Sequence, residues 1–373
     1  MKRLAISMTN SHLPNIGLGE FENSIALRLA CRAAELQRDF GIRMTFIVNE
    51  KQVGAYGSDV DYITIKGLKK ACLKCSVFTP FRNWLLPKFD MLHWTNQMFK
   101  YRVKFAPLQL MTIHDLNYLH NGISDIHKRK KTFVAQRRVN QMTHLSFISK
   151  STRDDVRSHL VAPQPSRVIY NGVTNLNNPD TDYSSVLSGM RLPDKFLFHI
   201  SRWVRKKNVV LALEMMRHLP DERLVLAGTG DKRQEQLVFD TIKAYNLTNV
   251  TVVGRVSSEQ KAALLSRCKG LVFPSRSEGF GLPVVEAMCF GKPAFITNLT
   301  ALPEVGGDVC YYFKSFDPRE MAQVVKEGLA DYASNPAAKA AALKARAAMF
   351  DWDRAVDEYV QYYIDILSGS ERQ

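Results

Sequence analysis

Residues 270–298 read GLVFPSRSEGFGLPVVEAMCFGKPAFITN, and their order of apolar and turn residues decides the fold. The apolar run at the start predicts a buried strand that ends near Ser275. Pro283 suits the first position of a helix, and Gly291 ends that helix. A second apolar run, 293–298, then predicts another strand. Strand, helix and strand in this order predict a βαβ unit, in which the two strands are parallel.

The same alternation of short apolar runs and helical patterns continues through the chain. In the first half, strands are predicted at 3–8, 44–49, 90–96, 108–115, 144–149 and 167–172, and a first helix at 20–41. In the second half, strands are predicted at 195–201, 222–228, 250–255, 268–275 and 293–298. This alternation predicts an α/β fold with two doubly wound Rossmann-like domains that face a central cleft.

A polar stretch rich in Asn, Asp, Ser and Pro, residues 173–194, separates the two halves and predicts a linker. We therefore assign residues 1–180 to an N-terminal, acceptor-side domain and residues 190–350 to a C-terminal, donor-binding domain. The last segment, 351–368, is amphipathic, with its apolar residues on one helical face. We expect this helix to pack back on the N-terminal domain.

The composition is typical of a soluble globular protein, since 46% of the 373 residues are hydrophobic and 23% are charged. No apolar run of about 18 residues is present, so the sequence predicts no membrane-spanning helix. The N-terminus predicts a first strand and not a secretory signal. Of six cysteines, Cys72 and Cys75 form one Cys-x-x-Cys pair without a second pair to complete a zinc site. We expect reduced thiols and a cytoplasmic protein.

Two acids flank the glycine-rich turn of the opening stretch. Glu278 is predicted in the turn, and Glu286 one turn into the helix that follows. Glycines in the turn let the backbone approach a ligand, and the start of a helix attracts an anion. Carboxylates accept hydrogen bonds from sugar and ribose hydroxyls. The stretch therefore predicts a nucleotide-sugar site, and the alternative is an ordinary helix start with solvated acids.

The spacing of these acids resembles a glycosyltransferase motif. SEGFGLPVVEAM has the Glu-x7-Glu spacing of the retaining glycosyltransferases of the GT-B fold, family-4 type. ISRWVRKKN resembles the Arg-x4-Lys phosphate segment of that family and supplies Arg202 and Lys207. TIHDL, ISKSTRDDV, IYNGV and LPEVGGD resemble further family motifs in the same order. The chain is thus similar to bacterial mannosyltransferases of this type over nearly its whole length.

The resemblance implies four candidate catalytic residues. Glu278 would contact hydroxyls of the donor sugar, and His114 would lie against the same sugar near the reacting carbon. Arg202 and Lys207 would neutralise the pyrophosphate and stabilise the departing nucleoside diphosphate, where negative charge grows. Because such cations can replace a metal ion, we expect no metal and no cofactor. The alternatives are a solvated basic helix start and a core histidine bonded to Asp115.

The resemblance also implies donor-binding residues. Glu286 would accept hydrogen bonds from the ribose, and backbone amides of the turn would face the phosphates. The full donor-binding set is Gly17, Gly19, Gly254, Phe280, Gly281, Leu282 and Glu286. The first two glycines follow the first strand, but Glu22 interrupts a full Gly-x-Gly-x-x-Gly pattern, and a plain turn explains them equally well.

Positive charge concentrates in two stretches of the N-terminal domain. The net charge is +15, and residues 66–88 and 127–144 each carry six lysines or arginines. Basic residues interleaved with aromatic ones are typical of binding to an anionic membrane surface, so we expect a peripheral protein at the inner face of the cell membrane. The alternative is a solvated helix face. No helix-turn-helix, zinc-finger or RNP-like motif is present, so we expect no nucleic-acid partner.

The resemblance implies a retaining hexosyltransferase that moves a hexose from a nucleoside diphosphate sugar to a glycan hydroxyl. The expected acceptor is a lipid-linked precursor of a cell-surface polysaccharide or lipopolysaccharide. GDP-mannose is the expected donor, because TIHDL resembles bacterial mannosyltransferases, and UDP-sugars come next. Retention is written in this family as front-face attack, so no protein nucleophile is assigned. The alternatives are a nucleotide-sugar epimerase or phosphorylase of the same fold, or a non-catalytic basic protein that binds membrane or nucleic acid.

Overall fold

The computed structural model describes residues 1–13, 17–64, 87–99, 106–120, 122–177, 183 and 185–370. The chain divides into two compact units. The first contains Met1–Leu116, Ser124–Gly172 and Trp352–Gln373, and the second contains Asn117–Ile123 and Val173–Asp351. A short segment from the first half of the sequence therefore belongs with the second unit. Of the basic stretch 66–88, all but residues 87 and 88 lie outside the described residues.

The described residues of the first unit form a sheet of seven strands. They are β1 (Lys2–Ser7), β2 (Ile42–Val48), β3 (Asp61–Thr64), β4 (Met91–Trp94), β5 (Leu108–Ile113), β6 (His144–Phe147) and β7 (Ser166–Val168). Their order in the sheet is β3-β2-β1-β4-β5-β6-β7, and every neighbouring pair is parallel. The order reverses between β1 and β4, and ligands bind at such reversal points in sheets of this type.

The described helices of the first half are α1 (Gly17–Cys31), α2 (Ala33–Phe40), α3 (Asp125–Val139) and α4 (Lys150–His159). The single helix predicted over 20–41 is therefore two helices. They separate at Arg32, whose N–H bonds to the carbonyl of Leu29, three residues back instead of four. This tighter turn interrupts the helix, although the apolar periodicity continues through it.

The second unit is built on a sheet of six strands. They are β8 (Leu197–Ile200), β9 (Leu224–Ala227), β10 (Val250–Gly254), β11 (Gly270–Phe273), β12 (Ala294–Thr297) and β13 (Tyr311–Phe313). Their order is β10-β9-β8-β11-β12-β13, again with every neighbouring pair parallel. The order reverses between β8 and β11.

The helices of the second unit are α5 (Val209–Met216), α6 (Lys232–Ala244), α7 (Ser258–Arg267), α8 (Leu282–Cys289), α9 (Leu302–Gly306), α10 (Pro318–Ser334) and α11 (Pro336–Ala347). Four of them begin with a side chain that accepts a hydrogen bond from the first turn: Asp231, Ser257, Asp317 and Asn335. Each such cap contributes about 1 kcal/mol to helix stability.

The final helix, α12 (Trp352–Ser368), belongs to the first unit. Its buried face bonds to the sheet through three tyrosines, and the Tyr362 hydroxyl donates to the Leu145 carbonyl at 3.1 Å. The Tyr363 hydroxyl lies 2.7 Å from His93 Nδ1, and the Tyr359 hydroxyl lies 3.0 Å from Thr112 Oγ1. Because buried polar groups need partners, these bonds favour one position of α12 on the sheet.

The two parallel sheets confirm the predicted α/β fold of two doubly wound Rossmann-like domains. Two strands were not predicted, β3 and β13, and both lie at a sheet edge. DYIT has only two apolar residues and YYF is only three residues long, so neither has the longer apolar run that marks a central strand. Among the described residues, no helix has the length and apolar character needed to cross a membrane.

Candidate active site

The candidate site lies at one edge of the second sheet, where β8 and β11 end. These strands are parallel neighbours at the point where the strand order reverses. Residues 201–208 follow β8 and residues 274–281 follow β11. Because the carboxyl ends of parallel strands lie at the same edge of a sheet, the two segments come together there.

Lys207 and Glu278 meet at this edge as an ion pair between Nζ and Oε1, with both side chains largely buried. The Ser275 hydroxyl donates to the same Oε1 at 2.5 Å, and the Glu278 N–H donates to Thr300 Oγ1 at 2.9 Å. Within the described ranges, no residue forms a hydrogen bond to Glu278 Oε2. One carboxylate oxygen is therefore fixed by the protein, and the other can accept hydrogen bonds from a ligand.

Glu286 has a lysine partner of its own. This residue of α8 is only 4% exposed, and its Oε1 accepts a hydrogen bond at 2.5 Å from Lys261 Nζ of α7. Its Oε2, too, has no hydrogen-bond partner in the part of the chain that the structure describes. Lys261 was not predicted as a site residue. Its local sequence, SSEQKAALL, indicates a capped helix start. It contains no signal for a contact with Glu286, which lies 25 positions later.

The turn before α8 offers backbone groups. Gly281 caps the helix with φ 106°, a left-handed conformation that side chains disfavour, and a Cβ there would lie 2.7 Å from Leu302 Cδ2. The Phe280 side chain is buried edge-to-face against Phe350, with ring centroids 5.3 Å apart. Leu282 begins the helix and is half-buried. These three predicted donor-binding residues can therefore bind a ligand through their N–H groups.

Arg202 follows β8 and is exposed. No described residue forms an ion pair or a hydrogen bond with its guanidinium. The next residue, Trp203, is buried and bonds through its backbone N–H to the Thr229 carbonyl at 2.8 Å. The structure thus joins Lys207, and not Arg202, to Glu278.

His114 follows β5 in the first unit and is buried. Its Nε2 lies 2.8 Å from the Thr95 carbonyl oxygen, and because a carbonyl only accepts, Nε2 carries the proton. Its ring packs edge-to-face on Phe21, with centroids 4.7 Å apart. Burial lowers the pKa of His114, so the ring is neutral and Nδ1 is an acceptor. His114 is therefore bonded to Thr95 and not to Asp115.

Glu22 of α1 is fully buried and contacts Thr95, the residue whose carbonyl oxygen binds His114. Its carboxyl group accepts hydrogen bonds from the Asn10 N–H at 2.5 Å and from Asn96 Nδ2 at 3.1 Å, and it contacts Thr95 Oγ1 at 2.8 Å. Burial raises the pKa of Glu22. In the sequence this residue only interrupted a glycine pattern, whereas in the structure it joins the loops after β1 and β4.

The predicted glycine loop after β1 is the first turn of α1. Gly17 is exposed, and among the described residues nothing lies within 4 Å of where its Cβ would stand. A Cβ on Gly19 would lie 2.0 Å from the Leu13 carbonyl oxygen, so this glycine lets the helix pack on its own preceding loop. Gly254 ends β10, and its carbonyl accepts the Gly228 N–H at 2.7 Å. No observation links these three glycines to Glu278 or Glu286.

Asn117 is a further residue that sequence reasoning missed. It is buried, and its Oδ1 accepts a hydrogen bond from the hydroxyl of Ser277, the residue before Glu278. Asn117 and Ser277 are 160 positions apart, but both belong to the second unit. Asn117 therefore supports the turn that carries Glu278.

The second unit thus presents two carboxylates, each with one oxygen held by a lysine and one available to a hydroxyl group. Such a site can bind a polyhydroxylated, negatively charged ligand, because the lysines offset negative charge and the acids accept from hydroxyls. Among the described residues, no three His, Cys, Asp or Glu side chains group together as a metal site.

Residues 188–347 match the family model described as "Glycosyl transferases group 1". The chain is 30% identical over 187 residues to the serotype-specific mannosyltransferase WbdA of Escherichia coli. The matched region covers 48% of this chain and 23% of WbdA. It is 26% identical over 243 residues to the GDP-mannose:cellobiosyl-diphosphopolyprenol alpha-mannosyltransferase of Xanthomonas oryzae pv. oryzae, with 63% of this chain and 62% of that protein covered. The chain therefore spans less than a quarter of the length of WbdA.

A solved structure, the sucrose-phosphate synthase from Thermosynechococcus elongatus, superposes with a TM-score of 0.78 over 99% of this chain and 100% of that one. At 19% identity, this likeness shows the fold alone. The matched family segment contains both lysine–glutamate pairs of the site. Residues 188–347 are therefore similar to the group 1 glycosyl transferases, in a chain that has the GT-B fold and resembles bacterial mannosyltransferases.

Proposed function

We propose that the protein is a hexosyltransferase that moves a hexose from a nucleoside diphosphate sugar to a glycan hydroxyl, with retention at the anomeric carbon. The observation that carries this proposal is the presence of two lysine–carboxylate pairs around the start of α8, Lys207–Glu278 and Lys261–Glu286. The first pair combines a cation for the leaving phosphate with an acceptor for the sugar. The second provides an acceptor for the ribose.

The departing nucleoside diphosphate gains negative charge in the transition state, and preorganised cations and N–H groups lower the energy of that state. In our proposal Lys207 supplies one cation, and the exposed Arg202 on the same segment supplies another. The N–H groups that begin α8 after Gly281 add positive potential. The proposed reaction uses these groups where other enzymes use a metal ion.

Glu278 binds the transferred sugar in this scheme and does not attack it. Its Oε1 stays with Lys207 and Ser275, while Oε2 accepts from sugar hydroxyls. A carboxylate that is paired with a cation and hydrogen-bonded is a poor nucleophile, which favours front-face attack by the acceptor. In that step the acceptor oxygen bonds to the anomeric carbon, the carbon–phosphate oxygen bond breaks, and the leaving phosphate takes the acceptor proton. In the first unit, Nδ1 of the neutral His114 can accept a hydrogen bond from a hydroxyl group.

We propose GDP-mannose as the donor and a lipid-linked glycan as the acceptor. The support comes from the Xanthomonas relative, whose name states GDP-mannose as its donor and a cellobiosyl-diphosphopolyprenol as its acceptor. WbdA is also named a mannosyltransferase. UDP-sugars are the second choice of donor.

We further propose that α3 binds an anionic membrane surface, where a lipid-linked acceptor would lie. Among the residues of α3, only Val139 is buried, whereas Ile126 is 66% and Phe133 is 65% exposed. These two apolar residues are seven positions apart and so share one side of the helix. The helix also carries six cations: Lys128, Arg129, Lys130, Lys131, Arg137 and Arg138. Each cation near an anionic membrane is worth about 1 kcal/mol.

A transfer assay tests the proposed function. The purified chain is incubated with GDP-mannose, UDP-glucose or ADP-glucose, with and without a polyprenyl diphosphate-linked disaccharide. We expect one donor to release its nucleoside diphosphate only when acceptor is present, and the product to keep the anomeric configuration of the donor. Donor turnover without acceptor indicates an epimerase, and a requirement for phosphate indicates a phosphorylase. Binding to DNA without any turnover indicates a non-catalytic protein.

A further inference from the structure

The described residues of the second unit contain three lysine–glutamate ion pairs: Lys207–Glu278, Lys261–Glu286 and Lys269–Glu222. The first two involve the acids of the candidate site. The third joins the residue before β11 to the residue two positions before β9, and its lysine is more exposed than Lys261. The chain thus offers a matched pair of lysines with the same kind of partner, one at the site acid and one elsewhere.

Glu286 lies in an apolar setting that does not suit an acid. Its neighbours in α8, Val284, Val285, Ala287 and Met288, are all buried. A buried charge without a partner is strongly destabilising, so Glu286 needs Lys261. A buried ion pair can nevertheless be replaced by apolar residues with little loss of stability. Stability alone therefore does not explain an ion pair at this position, and a ligand for the second carboxylate oxygen does.

Lys261 is well placed to fix the direction of that carboxylate. It is the fourth residue of α7, whose start is held by a capping box between Ser257 and Gln260. Its Nζ bonds Glu286 Oε1 and leaves Oε2 without a hydrogen bond from any described residue. A group on a capped helix holds its partner more precisely than a group on a loop.

We propose that Lys261 is a positioning residue of the donor site, which holds Glu286 so that its second oxygen accepts hydrogen bonds from the ribose hydroxyls of the donor nucleotide. This inference rests on the proposed function, because it assumes that Glu286 binds ribose. Lys261 acts through Glu286 and contacts neither the sugar nor the phosphate. The ribose is far from the reacting bond and changes little during transfer, so Lys261 contributes equally to ground-state and transition-state binding.

Substitution of Lys261 should therefore change the KM for the donor and leave kcat nearly unchanged. K261M raises the KM for the donor and the Kd for GDP about tenfold, the usual scale for losing a hydrogen bond to a charged group. It leaves kcat within about twofold of the unaltered protein, because uniform binding does not affect kcat. Lys261→Arg restores most of the affinity, since it supplies a cation to the same oxygen.

The decisive measurement uses GDP and 2′,3′-dideoxy-GDP, which lacks the ribose hydroxyls, in calorimetric titrations. The unaltered chain prefers GDP about tenfold, and K261M loses most of that preference. In an E286Q background, K261M has little further effect on this preference, because Lys261 acts on the ribose through the Glu286 carboxylate. Lys269→Met is the matched control and keeps both the affinity and the preference. UDP and its dideoxy analogue provide a second arm if GDP does not bind.

The outcomes separate this inference from the proposed function. If the unaltered chain binds and turns over a donor while K261M keeps its preference for the ribose, the inference is overturned and the function stands. If the unaltered chain neither binds a nucleotide nor turns over a donor sugar, both are overturned. Circular dichroism and thermal unfolding check each variant, and Lys261→Gln, whose polar side chain is one atom shorter and carries no charge to pair with Glu286, replaces K261M if K261M does not fold.

Discussion

Lys207 and Glu278 lie 71 positions apart in the sequence and form an ion pair where two neighbouring strands, β8 and β11, end. The pair couples a cation to a carboxylate that keeps one oxygen for a ligand. Within the proposed mechanism, this places the group that offsets the leaving charge next to the group that holds the sugar. Loss of either member therefore affects the other.

Lys207→Ala should lower kcat by at least about a hundredfold, because it removes a charge that stabilises the leaving nucleoside diphosphate. Release of nucleoside diphosphate in the presence of acceptor measures the effect. Lys269→Ala is the control, since it removes a lysine from another glutamate of the same unit. Turnover of Lys207→Ala near that of the unaltered protein would remove Lys207 from the mechanism.

Glu278→Gln should lower transfer by about a hundredfold or more while the fold persists, since the amide keeps the size of the side chain and loses the charge paired with Lys207. Transfer is measured as labelled glycan product, and the fold by circular dichroism. Retained transfer in this variant would show that Glu278 has only a structural part.

Gly281→Ala should destabilise the second unit by more than about 1 kcal/mol, because the left-handed φ is strained for alanine and the new Cβ meets Leu302. Thermal unfolding measures the loss. Gly17→Ala, at a helix start with no described neighbour within 4 Å, should leave the unfolding temperature nearly unchanged. Equal effects of the two substitutions would contradict this account of the turn.

Stability should fall as the pH falls below about 6.5, the pKa of histidine in an unfolded chain. Burial lowers the pKa of His93 to about 3 and that of His199 to about 4, and it also lowers that of His114. Below about 6.5 the unfolded chain therefore binds protons that the native chain does not, which favours unfolding. Between pH 6.5 and pH 5, His93 and His199 should each cost about 1.6 kcal/mol, and His114 acts in the same direction.

Urea unfolding over that pH range measures the effect. His199→Gln cannot titrate, so its stability should depend less steeply on pH than that of the unaltered protein. An unfolding free energy that stays constant between these pH values would contradict the buried, neutral state of the histidines.

Phe133→Ser together with Lys130→Glu should weaken binding to vesicles that contain anionic lipid by about tenfold or more, since it removes one inserted side chain and reverses one charge. Co-sedimentation with vesicles at two salt concentrations measures binding. The control is Phe239→Ser, which removes an exposed aromatic residue from α6 of the other unit. Equal binding of both variants would rule out α3 as the membrane contact.

The sequence predicts the central strands of both sheets because buried parallel strands need nearly continuous apolar runs. It does not predict β3, which has only two apolar residues, or β13, which is only three residues long. It also misses the break at Arg32, since the apolar pattern runs through it. The fixed spacing from Glu278 to Glu286 is local and can be recognised. The contacts of these acids with Lys207 and Lys261 are not local, because they depend on which strands are neighbours in the sheet.

The same reason explains the missed residues of the site. Asn117 reaches Ser277 across 160 positions, and Glu22 reaches Thr95 across 73. No local pattern encodes contacts of this length, because they arise from the way loops gather at the ends of strands. The predicted glycines show the converse. Gly19 belongs to an incomplete glycine pattern that suggested a ligand site, but its observed role is to pack the helix against its own chain.

The most direct test of the central claim is calorimetric titration of GDP-mannose, UDP-glucose and ADP-glucose into the unaltered chain and into a chain that carries both Lys207→Ala and Glu286→Gln. We predict that one of the three donors binds the unaltered chain at a single site and that its affinity falls by about a hundredfold or more in the double variant. Equal affinity of the two chains for that donor, or no binding of any donor to the unaltered chain, would contradict the claim that the two lysine–glutamate pairs form a donor site.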